Sequence, residues 1–214
     1  MINTVIEGDC LDVMKSMPDK CVDLVLTDPP YGIGEDGGRF RDRKGGGHRV
    51  LPCGGWDNEC PTKEVFDEII RISKNQIIWG GNYFSDKLPV SRGWLYWKKL
   101  MGGDFSDGEL AWTSIDMVIR DFVFCNKYAG RIHPAQKPVE LFLWCLDFLP
   151  QADTILDCYA GSGTTAVACL RTKRNYILIE KEPKYVEICK ARIAQAETGV
   201  SVKEQKAGQK ALWV

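Results

Sequence analysis

The stretch Thr154-Ile155-Leu156-Asp157-Cys158-Tyr159-Ala160-Gly161-Ser162-Gly163-Thr164-Thr165 decides how this chain is read. Thr154 to Asp157 has the character of a short strand, Ala160 to Thr165 is a tight turn of small residues, and a helix is expected from Thr165 to Leu170. A second strand, Asn175 to Ile179, follows and ends in Glu180. Strand, glycine turn, helix, strand and acid is the arrangement in which a helix N-terminus receives a negative group. The downstream carboxylate then accepts hydrogen bonds from ribose hydroxyls. A nucleoside-containing cofactor is therefore expected. No lysine follows the last glycine, so the turn is not a phosphate-cradling Walker loop. As a dinucleotide fingerprint it reads Gly161-x-Gly163-x-x-Ala166, with Glu180 seventeen positions beyond Gly163. Taken alone, it also admits an NAD-dependent oxidoreductase.

The second informative stretch lies near the other end of the chain. Val22, Leu24, Val25 and Leu26 form an apolar run with no polar face, which suits a strand buried on both sides of a parallel sheet. It runs into Asp28-Pro29-Pro30-Tyr31-Gly32. Two successive prolines remove two backbone donors and fix φ, so the chain must turn out of the sheet there. The Asp28 carboxylate is expected to point, unpaired, into the crevice at the carboxyl end of the strand, where ligands sit in open α/β sheets. An isolated Asp-Pro-Pro is more often the signature of an ordinary turn.

Between and around these stretches the pattern is that of alternating strands and helices. Thr4 to Ile6 reads as a strand ending at Gly8-Asp9, followed by a helix from Cys10 to Met17. Val65, Phe66, Ile69, Ile70 and Ile72 mark one face of a helix capped by Thr62, and Gln76 to Trp79 is a buried strand. Gly93 to Lys98 and Met117 to Cys125 read as two more strands, whereas Glu109 to Trp112 fits no clear pattern. A helix begins near Pro138, and an amphipathic one spans Tyr185 to Ala196.

Gly32 to Cys60 is a glycine-rich loop with no hydrophobic period. Its centre carries Arg39, Arg41, Arg43, Lys44 and Arg49 against the single acid Asp42, five charges minus one, or +4. A flexible arm of this kind is suited to phosphates, or is simply a solvated surface loop. The whole chain of 214 residues carries a formal net charge of −1, so any nucleic-acid surface must be local. No apolar run reaches membrane-spanning length, the N-terminus lacks a signal-like pattern, and nine scattered cysteines suit reduced, buried thiols. A cytoplasmic protein without a membrane association is expected. His48, Cys53 and Cys60 lack a Cys-x-x-Cys pair and a fourth ligand, so no metal site is assigned. The expected organisation is one catalytic domain over residues 1–197, with the basic loop at 32–60 and a polar tail at 198–214.

Asp157-x-x-Ala160-Gly161-Ser162-Gly163-Thr164-Thr165, Asp28-Pro29-Pro30-Tyr31 and His133-Pro134-x-Gln136-Lys137-Pro138 together resemble the amino-methylating DNA methyltransferases. The order matches the β-type, in which the catalytic motif precedes the cofactor motif. The resemblance implies an α/β, Rossmann-like, S-adenosylmethionine-dependent methyltransferase sheet with helices on both faces. Its strands would be circularly permuted, bringing Asp28 and Gly161 to adjacent strand ends.

Residue by residue, the resemblance implies that Gly161, Ser162 and Gly163 bound the methionine part of S-adenosylmethionine, with Tyr159, Ala160, Thr164 and Thr165 around them. Glu180 would hold the ribose hydroxyls, Asp9 would approach the adenine, Lys137 would lie near the methionine carboxylate, and Cys10 and Asp28 would also line the cofactor site. Cys158-Tyr159 stands where the family usually has Pro-Phe. Asp28 and the Pro29 carbonyl, freed by Pro30, would accept the two N–H groups of an exocyclic amine while Tyr31 stacks on the extruded base.

Asp in first place favours adenine N6, with cytosine N4 as the alternative. An oxidoreductase or a silent nucleic-acid-binding subunit would leave the intact motifs unexplained. The expected partner is DNA, through Arg39, Arg41, Arg43, Lys44 and Arg49, with RNA still open. A homodimer and a restriction-modification endonuclease partner are both compatible with the sequence.

Overall fold

The computed structural model describes residues 2–34, 57–100, 106–125 and 136–199. Arg39, Arg41, Arg43, Lys44, Arg49, His48, Cys53, His133 and Pro134 lie outside them, as does most of the 198–214 tail.

Eight strands form one sheet: β1 (Thr4–Glu7), β2 (Val22–Thr27), β3 (Ser73–Trp79), β4 (Trp94–Lys98), β5 (Gly108–Thr113), β6 (Arg120–Val123), β7 (Thr154–Asp157) and β8 (Asn175–Glu180). Their spatial order is β1-β8-β7-β2-β3-β5-β4-β6. The five strands β1, β8, β7, β2 and β3 are mutually parallel. If β7 is counted first, these read third, second, first, fourth, fifth, which is the permuted order that the motifs imply. β5 then runs antiparallel to both β3 and β4, and β6 closes the far edge parallel to β4.

β2 is central because its sequence leaves it nowhere else to go. Val22, Leu24, Val25 and Leu26 are all at most 1% exposed, and a strand apolar on both faces must be covered on both. Leu24 and Leu26 point into one core with Ile77, Trp79, Ile155 and Leu178, beneath α3 (Val139–Asp147), α4 (Thr164–Thr172) and α5 (Pro183–Thr198). Val25 points the other way, into a core with Ile78, Leu156 and Ile179 beneath α1 (Cys10–Lys15) and α2 (Lys63–Ile72). Helices therefore cover both faces, as expected.

The element boundaries differ modestly from the sequence reading. The α4 helix begins at Thr164, α5 runs on to Thr198, and the Met117 to Cys125 strand is confined to Arg120–Val123. Glu109 to Trp112, which fits no local pattern, is the body of β5. Its register places Ala111 opposite Trp79 and Glu109 opposite Trp97, so neighbouring strands rather than its own periodicity hold it in place.

Candidate active site

The parallel register Leu24 with Ile155 and Val25 with Leu156 brings the ends of β2 and β7 side by side. The carboxylate that closes β7 locks them there. Asp157 accepts from the Thr27 hydroxyl at 2.8 Å, from the Tyr159 N–H at 3.1 Å and from the Thr165 hydroxyl. Asp157 is 3% exposed, and burial pushes its carboxyl up to about 6 against the pull of these donors. One side chain thus ties the first strand end, the second strand end and the start of α4 together.

The turn after β7 has the conformation its glycines allow. Gly161 and Gly163 have φ of +51° and +78°, and a Cβ on Gly163 would lie 2.6 Å from the Cys189 sulfur. The Gly161 N–H donates to Glu180 Oε2 at 2.7 Å, and the Glu182 N–H donates to Oε1 at 2.8 Å. Each oxygen keeps capacity for a further donor. Glu180 pairs in register with Glu7 of β1, two residues before Asp9, so the two acids lie at neighbouring strand ends. Asp9 caps α1 through the Leu11 N–H at 3.0 Å and reaches Lys181 at 3.2 Å. Cys10 is buried at the start of α1, and Tyr159 packs against the same apolar cluster.

Three of the turn's side chains face inward. The Ser162 hydroxyl and carbonyl accept from Arg192 at 2.9 and 3.1 Å, and the Thr164 hydroxyl accepts from the same group at 3.0 Å. Thr165 is fully buried on Asp157. Their backbone forms the turn, while their side chains anchor it to α5 and β7.

The corner after β2 is held from outside. The Tyr31 and Gly32 N–H groups both donate to Asp57 Oδ1, at 2.6 and 3.0 Å, and the Cys60 thiol donates to the Tyr31 carbonyl at 2.9 Å. The Tyr31 ring stacks on Tyr83, with centroids 4.8 Å apart and planes 14° from parallel. Phe84 approaches it edge-on at 6.2 Å. Gly80, at φ +75°, completes the enclosure: a Cβ there would be 2.1 Å from the Tyr31 ring.

Asp28 is not the unpaired carboxylate that the sequence suggests. Oδ1 accepts from the Tyr31 hydroxyl at 2.6 Å, and Oδ2 accepts from Lys137 Nζ at 2.5 Å. Lys137 also lies 3.0 Å from Glu109 Oε2 and 3.2 Å from the Tyr31 oxygen. The other Glu109 oxygen is paired with Lys99. Tyr31 has one hydroxyl proton, and the shorter contact, to Asp28, takes it; Glu109 lies at 3.3 Å.

Burial pushes the Asp28 carboxyl up, partly offset by Lys137 and reinforced by Glu109. Burial acts on Glu109 in the same way, but Lys137 and Lys99 outweigh it and hold its carboxyl down at about 2. For Lys137, the two carboxylates outweigh the burial that would discharge it. Of the two acids, Asp28 is therefore the readier to take a proton.

The Glu109, Lys99 and Asp57 members escape a sequence reading. None sits in a motif: Asp57 and Glu109 reach Tyr31 from distant parts of the chain, and Lys99 joins through Glu109. Lys137 was legible as a site residue, but its ammonium is placed on Asp28 and Glu109 in this structure.

Among the described residues, no cluster of His, Cys, Asp and Glu could hold a metal ion, and no helix is long and apolar enough to cross a membrane.

Comparison with known proteins agrees with this fold. The YubD protein of Escherichia coli (strain K12) is 30% identical over 90% of this chain and 90% of its own. The type II methyltransferase M.HinfI of Haemophilus influenzae is 23% identical over 91% of this chain and 69% of its own. Among solved structures, TTHA0409 of Thermus thermophilus, complexed with S-adenosyl-L-methionine, superimposes with a TM-score of 0.61 at 18% identity. That match covers 92% of this chain and 97% of the other. The cytosine-N4-specific PvuII DNA methyltransferase gives 0.62 at 17% identity, over 96% and 89%. These likenesses establish a shared fold. The sequence profile of the N6/N4 DNA methylases matches residues 78–191, more than half of the chain. With the relative at 30% identity over nine-tenths of its length, that match makes this chain a member of the N6/N4 DNA methylase family.

Proposed function

We propose that this protein transfers a methyl group from S-adenosylmethionine to the exocyclic amine of an extruded DNA base, with adenine N6 as the preferred target. The observation that carries this reading is the adjacency of the Asp28-Pro29-Pro30-Tyr31 corner and the Gly161–Gly163 turn at neighbouring parallel strand ends.

The residues at the turn fit the cofactor. Glu180 retains acceptor capacity for ribose hydroxyls, and Asp9 offers a partly exposed carboxylate one strand further on. Gly161 brings bare backbone to the crevice. S-adenosylmethionine, when bound, supplies a methyl group on a sulfonium that is already a good leaving group, so positioning and electrostatics account for most of the rate.

An exocyclic amine is a poor nucleophile because its lone pair is delocalised into the ring. Asp28 and the Pro29 carbonyl accept its two N–H groups and favour a pyramidal nitrogen with an available lone pair. Tyr31 offers its ring to the base, which would take the place of Tyr83, 41% exposed, on that ring. Asp28 at the first motif position supports adenine over cytosine. The basic residues Arg39 to Arg49 are proposed to contact phosphates.

Incubation with methyl-labelled S-adenosylmethionine and DNA or RNA, followed by nucleoside analysis, tests the proposal. N6-methyl-2′-deoxyadenosine from DNA is the expected product. N4-methylcytosine would reassign the base, and no label in either polymer would reject the proposal.

A further inference from the structure

We infer that Glu109 is a positioning residue for methyl transfer, sharing Lys137 with Asp28 and thereby setting how readily Asp28 accepts the proton that the amine loses. The inference rests on the proposed role of Asp28 as the acceptor at the amine.

The geometry is a closed array of charge. Lys137 Nζ lies 2.5 Å from Asp28 and 3.0 Å from Glu109, and Lys99 pairs with the remaining Glu109 oxygen. The side chains of Lys137, Asp28, Glu109 and Lys99 are only 8%, 15%, 16% and 16% exposed. Two ammonium groups face two carboxylates, and the array is neutral. The groups that face Asp28 are Tyr31 from its own loop, Lys137 from the segment before α3, Glu109 from β5, and Asp157 from the end of β7.

The proton has to go somewhere. A bond forms from the amine nitrogen to the methyl carbon as the cofactor's S–C bond breaks, leaving a neutral thioether and a nitrogen with one proton too many. Asp28, 2.6 Å from a phenol and otherwise in contact with a single ammonium, can take it. If Lys137 served Asp28 alone, the pair would be a tight salt bridge and Asp28 a poor acceptor. Glu109 draws on the same ammonium and weakens that hold. Lys99 tempers Glu109 in turn, so that Lys137 is shared rather than captured.

Two substitutions should move Asp28 in opposite directions. Glu109→Gln leaves the array one charge positive and gives Lys137 to Asp28 alone, so the Asp28 titration midpoint falls by about one pH unit. Lys99→Met leaves it one charge negative, and the midpoint rises by a similar amount.

The midpoint is read from the carboxyl carbon-13 resonance of Asp28 in the protein without cofactor or DNA, assigned by its loss in Asp28→Asn. The acid limb of the methyl-transfer pH profile should follow the same two directions, with the Glu109→Gln rate down about tenfold. A purely structural role would lower stability in both variants without opposite titration shifts. Midpoints within about 0.3 unit of the wild type, or both moved the same way, would overturn the inference. If wild type transfers no methyl group, the methyltransferase reading fails while the titration result stands by itself.

Discussion

Replacing Gly80 with alanine probes the corner at a point where only a hydrogen atom fits. Gly80 sits at φ +75°, which costs a residue with a Cβ about 1–2 kcal/mol. The added carbon would lie 2.1, 2.6 and 2.8 Å from three atoms of the Tyr31 ring. The backbone cannot retreat, because the Gly80 N–H is bonded to the Leu110 carbonyl at 2.8 Å. The ring must therefore move, forfeiting its bond to the Asp28 carboxylate, worth about 1.5–3 kcal/mol. The stack on the half-exposed Tyr83 contributes about 0.5 kcal/mol more.

Gly80→Ala is thus expected to lose about 3–5 kcal/mol of unfolding free energy in a urea titration. Methyl transfer should fall by about a hundredfold, because Asp28 loses a bond that orients it. In a Tyr31→Ala background the clash is gone, and the same substitution should cost only the backbone penalty of about 1–2 kcal/mol. Equal costs in the two backgrounds, or a Gly80→Ala variant of wild-type stability and rate, would refute the reasoning.

Three further outcomes are expected. Asp28→Ala should bind S-adenosylmethionine within about threefold of wild type by calorimetry, yet lose at least about a hundredfold in methyl transfer, because the acceptor is removed and the glycine turn is untouched. Asp157 has a folded-state pKa of about 6, above its ordinary 3.8, so its contribution to stability is complete below about pH 4 and is lost as pH rises through 6. Wild type should therefore gain on Asp157→Asn, by up to about 3 kcal/mol, as pH falls from 7 to 4, and a difference in melting temperature that ignores pH would contradict this. Deleting Arg39 to Arg49 should weaken DNA binding and flatten its dependence on log salt by as much as about 4, whereas an unchanged slope would remove those residues from the DNA contact.

Local chemistry alone was enough for much of the fold. An apolar run without a polar face can only be a doubly covered strand, which placed β2 at the centre. Glycines at 161 and 163, where a Cβ is strained or obstructed, marked the turn, while the strand permutation was implied by the resemblance of the motif order to the β-type amino-methyltransferases. β5 was illegible for the opposite reason: its six residues carry no period of their own, and only pairing with β3 and β4 makes them a strand.

The candidate site divides along the same line. Asp28, Tyr31, Lys137, Gly161 and Glu180 could be named before the fold was known because each lies in a short motif that resembles those of the amino-methylating DNA methyltransferases. Their electrostatic state could not. Whether Asp28 is free or paired depends on Lys137, 109 positions away, and the pull of Lys137 depends on Glu109 in a strand that local pattern cannot detect. Charges interact through space at a few ångströms, and only the folded sheet sets those distances. The sequence by itself determined which groups are present and which end of the sheet they occupy; the tertiary structure decided which of them share a proton and a counter-charge.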